Sequence, residues 1–408
     1  MSAQPSAMAL TTVSPTATAA PSASIATPTP TEATDVPVPP VSPGPVPAPP
    51  AFPPCQIQPT PMVVTLCIPG AVLRVDARLP DADLGAIFRQ VTDDLAAVQA
   101  EFEWSLRSTA FIDVYDTNAR YASGLRDVFG YSQATADYLA ENSVAFFEPS
   151  LRRIAVSWEA VSDRRPIAAI RHELTHLVTL EACAPRCDLV PAWFNEGEAR
   201  LMEALIPGAD WRMMRVRYEA ASMVATETLL PLTALWTQNQ WNAFGDWACY
   251  YKYQEAARTT DLIRGDVGDH AIARIYARLR AGDDFATAYA RLTGRSWSTF
   301  LASLPARLFA DIPPGPAISL VQPGADGTGA SFLLYGFPGE AKVTLSIKAR
   351  YASVSSEIGV SPQGAYFGSI DASYPPGTYT ITAASGSSVA AVTVIKRGGR
   401  AVRAALFD

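Results

Sequence analysis

The chain has 408 residues and a formal net charge of −7. That acidic balance argues against a nucleic-acid binder, which carries a basic field. No stretch approaches the roughly 18–20 uncharged apolar residues that span a bilayer, and the length allows two or three domains around a sizeable core.

Residues 1–54 are Pro, Ala, Thr and Ser with only Glu32 and Asp35 charged. Such a segment cannot bury enough apolar surface to offset its ordering entropy, and it reads as an extended, partly polyproline stalk. No Lys or Arg precedes Arg74, and "AMAL" is too short for the apolar region of a secretory signal. The composition predicts an exported domain, extracellular or tethered to the cell surface, with a signal or lipid anchor upstream of this numbering. The five cysteines point the same way. Cys55 and Cys67 flank a proline-rich segment, and Cys183 and Cys187 lie four apart in "CAPRC". Two local disulfides with Cys249 left over suit an oxidising compartment, and five free thiols are the plainer alternative.

After the stalk, "MVVTLCI" and "AVLRVDARL" read as strands. A helix follows from Asp83 to about Phe102, its apolar face built from Leu84, Ile87, Phe88, Val91, Leu95, Val98 and Phe102. "TAFIDVYD" and "RRIAVSW" are the next strands. "RRPIAAIRHELTHLVTLEA" predicts a helix with Pro166 in its first turn and a stripe of Ile167, Ile170, Leu174, Leu177 and Val178. Another helix runs from Ala192 to about Ala204. Residues 210–310 are helical in pattern, and "HAIARIYARLRAG" and "DFATAYARLTG" each end at glycine. Trp236, Trp241 and Trp247 read as packing anchors before cleft lining. From "DIPPGP" to about Lys396 the pattern changes to short strands with frequent turns, "ASFLLYGF", "KVTLSIKA", "YTITAAS" and "AAVTVIK", which predicts a small β-sandwich.

Two of the three histidines fall in "IRHELTHLVTL". Residues i and i+4 share one helix face, so His172 and His176 can present two imidazoles to one ion with Glu173 beside it. This is the H-E-x-x-H zinc arrangement, in which the glutamate acts as general base. A catalytic zinc keeps three protein ligands and one open position. "WFNEGEAR" offers the third in Glu196, twenty residues after His176, with Asn195 beside it fixing local backbone or the cleft wall. His270, the remaining histidine, reads as a helix N-terminal residue before an oxyanion donor.

H-E-x-x-H followed by N-E about twenty residues later resembles the gluzincin metallopeptidases of the thermolysin-like clan. The form "IRHELTHLV…PAWFNEGEA", with "YYKYQEAA" further on, looks like the bacterial peptidase MA-like family over residues 55–312. "YGFPGEAKVTLSI" and "YPPGTYTITA" are similar to bacterial surface Ig-like domains over residues 313–397, leaving a tail at 398–408. The resemblance implies an α+β fold: a zincin-type metallopeptidase domain, a small N-terminal sheet with a helical C-terminal half, then an all-β Ig-like sandwich. It implies zinc held by His172, His176 and Glu196, with Glu173 as general base and proton shuttle. Thermolysin relatives often carry an acid four residues after the glutamate ligand, to orient a histidine. Here that position is Arg200, which leaves Glu198, Glu203 or a backbone carbonyl for the task. The oxyanion donor falls among Tyr250, Tyr251 and Tyr253, with Tyr251 or Tyr253 preferred.

The expected activity is therefore zinc-dependent hydrolysis of a peptide or protein substrate, with no nucleic-acid partner and cell-surface or cell-wall contact through the sandwich. Two alternatives stand beside it: an adhesion protein on a degenerate zincin scaffold, and a zinc amidohydrolase acting on cell-wall material.

Overall fold

The computed structural model describes residues 63–161, 167–208, 210–225, 227–244, 246–311, 315–320, 330–339, 341–350, 353–361, 364–370, 375 and 377–396. The stalk, the tail, Cys55 and Pro166 lie outside them, as do the side chains of Trp247, Cys249 and Tyr250.

The first half is built on a five-stranded sheet. Strands β1 (Val63–Ile68) and β2 (Ala71–Asp76) form a hairpin, closed where Gly70 takes a φ of 86° that only glycine adopts freely. Helix α1 (Asp81–Phe102) begins two residues before the predicted start. Strand β3 (Ala110–Tyr115) runs parallel to β2. Helices α2 (Asn118–Asp127) and α3 (Gln133–Asn142) and strand β4 (Ala145–Glu148) follow, three elements that the sequence pattern does not predict. Strand β5 (Arg153–Ser157) then inserts parallel to β3 and antiparallel to β4, giving the order β1-β2-β3-β5-β4.

Alternation along the strands sorts the two faces. Ile112, Val114, Ile154 and Val156 enter the main core with Ile87, Val91, Leu95 and Val98 of α1. Ala155, between two of them, points the other way to Tyr121, Leu125, Ala136 and Ala140 of α2 and α3. Each aliphatic side chain taken fully from water contributes about 1.5–3 kcal/mol.

A short helix α4 (Trp158–Val161) leads to α5 (Ala168–Cys183). The predicted apolar stripe of α5 understates its burial. Arg171, His172, Glu173, Thr175 and Thr179 are buried as well, because neighbours surround the helix. Cys183 and Cys187 form a disulfide in the link to α6 (Ala192–Ala204). Cys67 is also disulfide-bonded. The helical half continues with α7 (Asp210–Ala225), α8 (Gln238–Ala243), α9 (Asp246–Val267), α10 (Ala271–Arg280), α11 (Phe285–Thr293) and α12 (Trp297–Phe309). Helix α11 stops at Gly294 with φ 70°, as its sequence predicts, whereas α10 stops at Ala281, one residue before its glycine. Helix α9 packs against both α6 and α7.

The remaining strands are β6 (Ala317–Leu320), β7 (Ala330–Tyr335), β8 (Lys342–Lys348), β9 (Ser353–Gly359), β10 (Tyr366–Ile370), β11 (Gly377–Ser385) and β12 (Ser388–Lys396). They form two antiparallel sheets, β10-β7-β6 and β12-β11-β8-β9. Val343, Leu345 and Ile347 are buried between exposed Lys342, Thr344 and Lys348, the period-2 pattern of a one-sided sheet. Leu333 and Tyr335 pack on Tyr218 of α7 and Phe309 of α12. The architecture is thus mixed α+β with several sheets. No helix among the described residues is long and apolar enough to cross a membrane.

Candidate metal centre

Helix α5 is fastened at both ends. Its first residues have no side-chain cap of their own, and Gln90 of α1 brackets Ile167 instead, accepting from its N–H at 3.3 Å and donating to its carbonyl at 2.7 Å. One turn on, Arg171 donates to Asp94 through Nε at 2.7 Å, with both side chains buried. At the other end the Glu181 carboxylate accepts from the Arg107 and Ser108 N–H groups at 2.7 and 3.1 Å, and from Arg152 at 2.5 Å. These contacts set the rotation of the helix, and so the direction of its histidines.

His172 and His176 leave α5 on one face and Glu196 meets them from α6. The two Nε2 atoms lie 3.0 Å apart, and each is 3.6 Å from Glu196 Oε2. Among the described residues this is the one group of three His, Cys, Asp or Glu side chains able to share an ion. Ligands at about 2.0–2.1 Å in tetrahedral array stand about 3.3 Å from one another. The observed spacings bracket that value, so the donor set fits a small divalent cation.

The outer nitrogens are taken. His172 Nδ1 is 2.6 Å from Glu203 Oε1, and His176 Nδ1 is 3.2 Å from Asn195 Oδ1. Both acceptors call for N–H at Nδ1, which leaves the Nε2 lone pairs for the ion. Of the three open choices for the orienting acid, Glu203 meets His172, whereas Glu198 accepts from the Tyr276 hydroxyl at 2.7 Å. Asn195, which the sequence assigns to backbone or cleft wall, faces His176. Its position next to Glu196 was the available signal.

Burial opposes a charge on His172, but hydrogen bonds to Glu196 and Glu203 outweigh it and raise its pKa to about 10. Burial would raise Glu196, yet His176 and His172 hold it well below the ordinary carboxylate range. Against burial, Arg200 and His172 bring Glu203 down to about 2. The group therefore favours a positive charge at its centre, whether a proton or a metal ion. Glu173 is buried among them, and burial raises its carboxyl against the pull of His172 and His176. His176 and Glu196 keep 13% and 11% of their side chains exposed, against 4% for His172.

The tyrosines separate by helix face. The Tyr253 ring lies 6.1 Å from the His172 ring and 4.9 Å from Trp241. Tyr251, two residues earlier and so on nearly the opposite face, is half-buried within reach of Glu219 and Arg215 of α7, and burial raises its pKa. Trp241 is buried in the core, and Trp236 packs partly buried against it. The buried Lys252 amine donates to the Trp241 and Phe244 carbonyls at 2.6 and 2.9 Å, capping α8 where its own carbonyls run out of partners. His270 stands at the N-cap position of α10 without a side-chain cap hydrogen bond, and its ring meets Glu103 at the surface.

No protein-family profile matches the sequence, and no curated protein matches it. Among solved structures it is similar to the crystal structure of Legionella pneumophila aminopeptidase A in complex with aspartic acid. The identity is 12% and the TM-score 0.31, over 74% of this chain and 34% of that one. The chain spans about a third of that structure's length, and a likeness this distant assigns it no activity.

Proposed function

We propose that the chain is an exported zinc metallopeptidase of the gluzincin kind, with His172, His176 and Glu196 as zinc ligands and Glu173 as general base. The observation that carries this reading is the convergence of both Nε2 atoms and a Glu196 oxygen at 3.0–3.6 Å, beside a further buried carboxyl. When bound, zinc supplies Lewis acidity, polarising a carbonyl and lowering the pKa of water. The chain's own residues do the rest. Glu203 and Asn195 hold the Nδ1 sides of the imidazoles so that both Nε2 atoms face the site. Glu173 takes a proton from the attacking water and delivers it to the leaving amine. Tyr253, the tyrosine facing His172, donates its hydroxyl to the developing oxyanion.

In this reading residues 55–312 form the catalytic domain and residues 313–397 an Ig-like sandwich that contacts a cell surface or wall. The stalk at 1–54 carries both outward. The Cys183–Cys187 disulfide supports an oxidising compartment. Incubation with casein and a peptide library tests the activity, with cleavage that a chelator abolishes and zinc restores as the expected result. Intact peptides alongside released cell-wall fragments would replace the peptidase with an amidohydrolase. Absence of bound zinc after equilibration would remove the metal site itself.

A further inference from the structure

We propose that Arg200 is a positioning residue of this metal site, acting through Glu203 to fix the orientation of His172. The inference rests on the reading of His172, His176 and Glu196 as metal ligands. The Glu203 carboxylate is divided between two donors: Oε1 meets His172 Nδ1 at 2.6 Å, and Oε2 accepts from Arg200 Nη1. Only 1% of the Glu203 side chain and 5% of the Arg200 side chain is exposed, so water does not compete for either. The other edge of the guanidinium reaches Gln254 Oε1 of α9 at 3.4 Å.

Glu196, Arg200 and Glu203 stand at i, i+4 and i+7 on α6, which lines them up on one face of the helix. One stripe thus carries a ligand, a clamp and the acid that holds the neighbouring ligand. A carboxylate with one oxygen engaged can swing about its last torsion. With both engaged it has one orientation, and the imidazole hydrogen-bonded to it has one as well. Without Arg200, Glu203 would keep the charge of the buried Arg212 nearby but lose the donor on Oε2, which frees the carboxylate to leave its place. Arg200 therefore keeps Nε2 of His172 aimed at the ion without touching the ion or His172.

Zinc affinity by chelator competition near neutral pH tests this on the full chain, with thermal melts of each apo variant to monitor folding. Arg200→Met and Glu203→Gln should each weaken zinc binding about 10–100-fold. The double variant should bind no more weakly than Glu203→Gln alone, because Arg200 acts only through that carboxylate. Arg200→Lys, which keeps a charge on Glu203, should recover much of the affinity and guards against misfolding of the methionine variant. Wild-type zinc affinity in Arg200→Met, or losses that add in the double variant, would overturn the clamp while leaving the metal site standing. A wild type that takes no zinc would overturn the site and the clamp together.

Discussion

Gly197 of α6 lies directly against the backbone of Ala256 in α9, so close that a Cβ would stand 2.6 Å from the Ala256 carbonyl oxygen. The absence of a side chain lets the helix bearing Glu196 touch the helix bearing Tyr253. Backbone cannot move aside as a flexible side chain does, so Gly197→Ala must push the helices apart. The expected loss is about 1–3 kcal/mol of stability, with weaker zinc binding because Glu196 is the next residue. Thermal melts and chelator competition measure both, and an unchanged melting midpoint would contradict the contact.

The two tyrosines of α9 should behave differently. Tyr253→Phe removes the hydroxyl next to His172 and should lower kcat about 10²–10³-fold with KM little changed. Tyr251→Phe, facing α7, should stay within about twofold of wild type in kcat and show its effect on stability instead. Steady-state kinetics on a single peptide substrate separates them, and a larger kcat loss for Tyr251→Phe would reverse the assignment.

Glu255 gives a pH dependence away from the metal ligands. Its Oε2 accepts from the Leu230 N–H at 3.1 Å, Oε1 has no partner among the described residues, and burial raises the pKa to about 8. The folded pKa exceeds the ordinary 4.5, so the native state holds this proton more tightly than the unfolded chain. Its stabilising contribution is complete below about pH 4.5 and is lost as pH rises through about 8. Glu255→Gln keeps an acceptor for Leu230 without a titrating proton. The stability of the variant relative to wild type should rise by on the order of 2–4 kcal/mol between pH 5 and pH 9. Denaturant unfolding at both pH values reads the difference, and parallel pH profiles would exclude this group as the source.

The Arg171–Asp94 pair ties α5 to α1 one residue from His172, and both side chains are buried. Asp94→Ala leaves a buried guanidinium without its partner and should cost about 3–5 kcal/mol. Chemical denaturation measures this directly. A loss below about 1 kcal/mol would mean that the pair behaves like a surface one.

Much of this architecture is legible in the sequence where apolar spacing is strong and long. Helix α1, the core of α5 and all of α6 follow from residues such as Ile87, Val91 and Leu174 recurring at helical intervals. Helices α2 and α3 were not legible because they bury few side chains: Tyr121, Gly124 and Leu125 in one, Ala136 and Ala140 in the other. Strand β4 has only four residues, three of them apolar in a row, and β9 offers only Val354 and Ile358 among polar residues, so the alternation of burial that both strands show is not visible in their residue types. At the metal centre, spacing on one helix suffices to pair His172 with His176. The meeting of Glu203 with His172, or of Asn195 with His176, depends on how α6 crosses α5. Likewise, choosing Tyr253 over Tyr251 requires knowing which side of α9 meets α5 and which meets α7.

The central claim is that Glu173 moves the proton while His172, His176 and Glu196 hold the metal. Measuring zinc content and peptide cleavage together, for wild type and Glu173→Gln, tests it most directly. Glutamine preserves the shape of the side chain and leaves the three ligands untouched. The account predicts one zinc per chain in both proteins, with cleavage by the variant reduced about 10²–10⁴-fold. Equal cleavage by the two zinc-loaded proteins would contradict it.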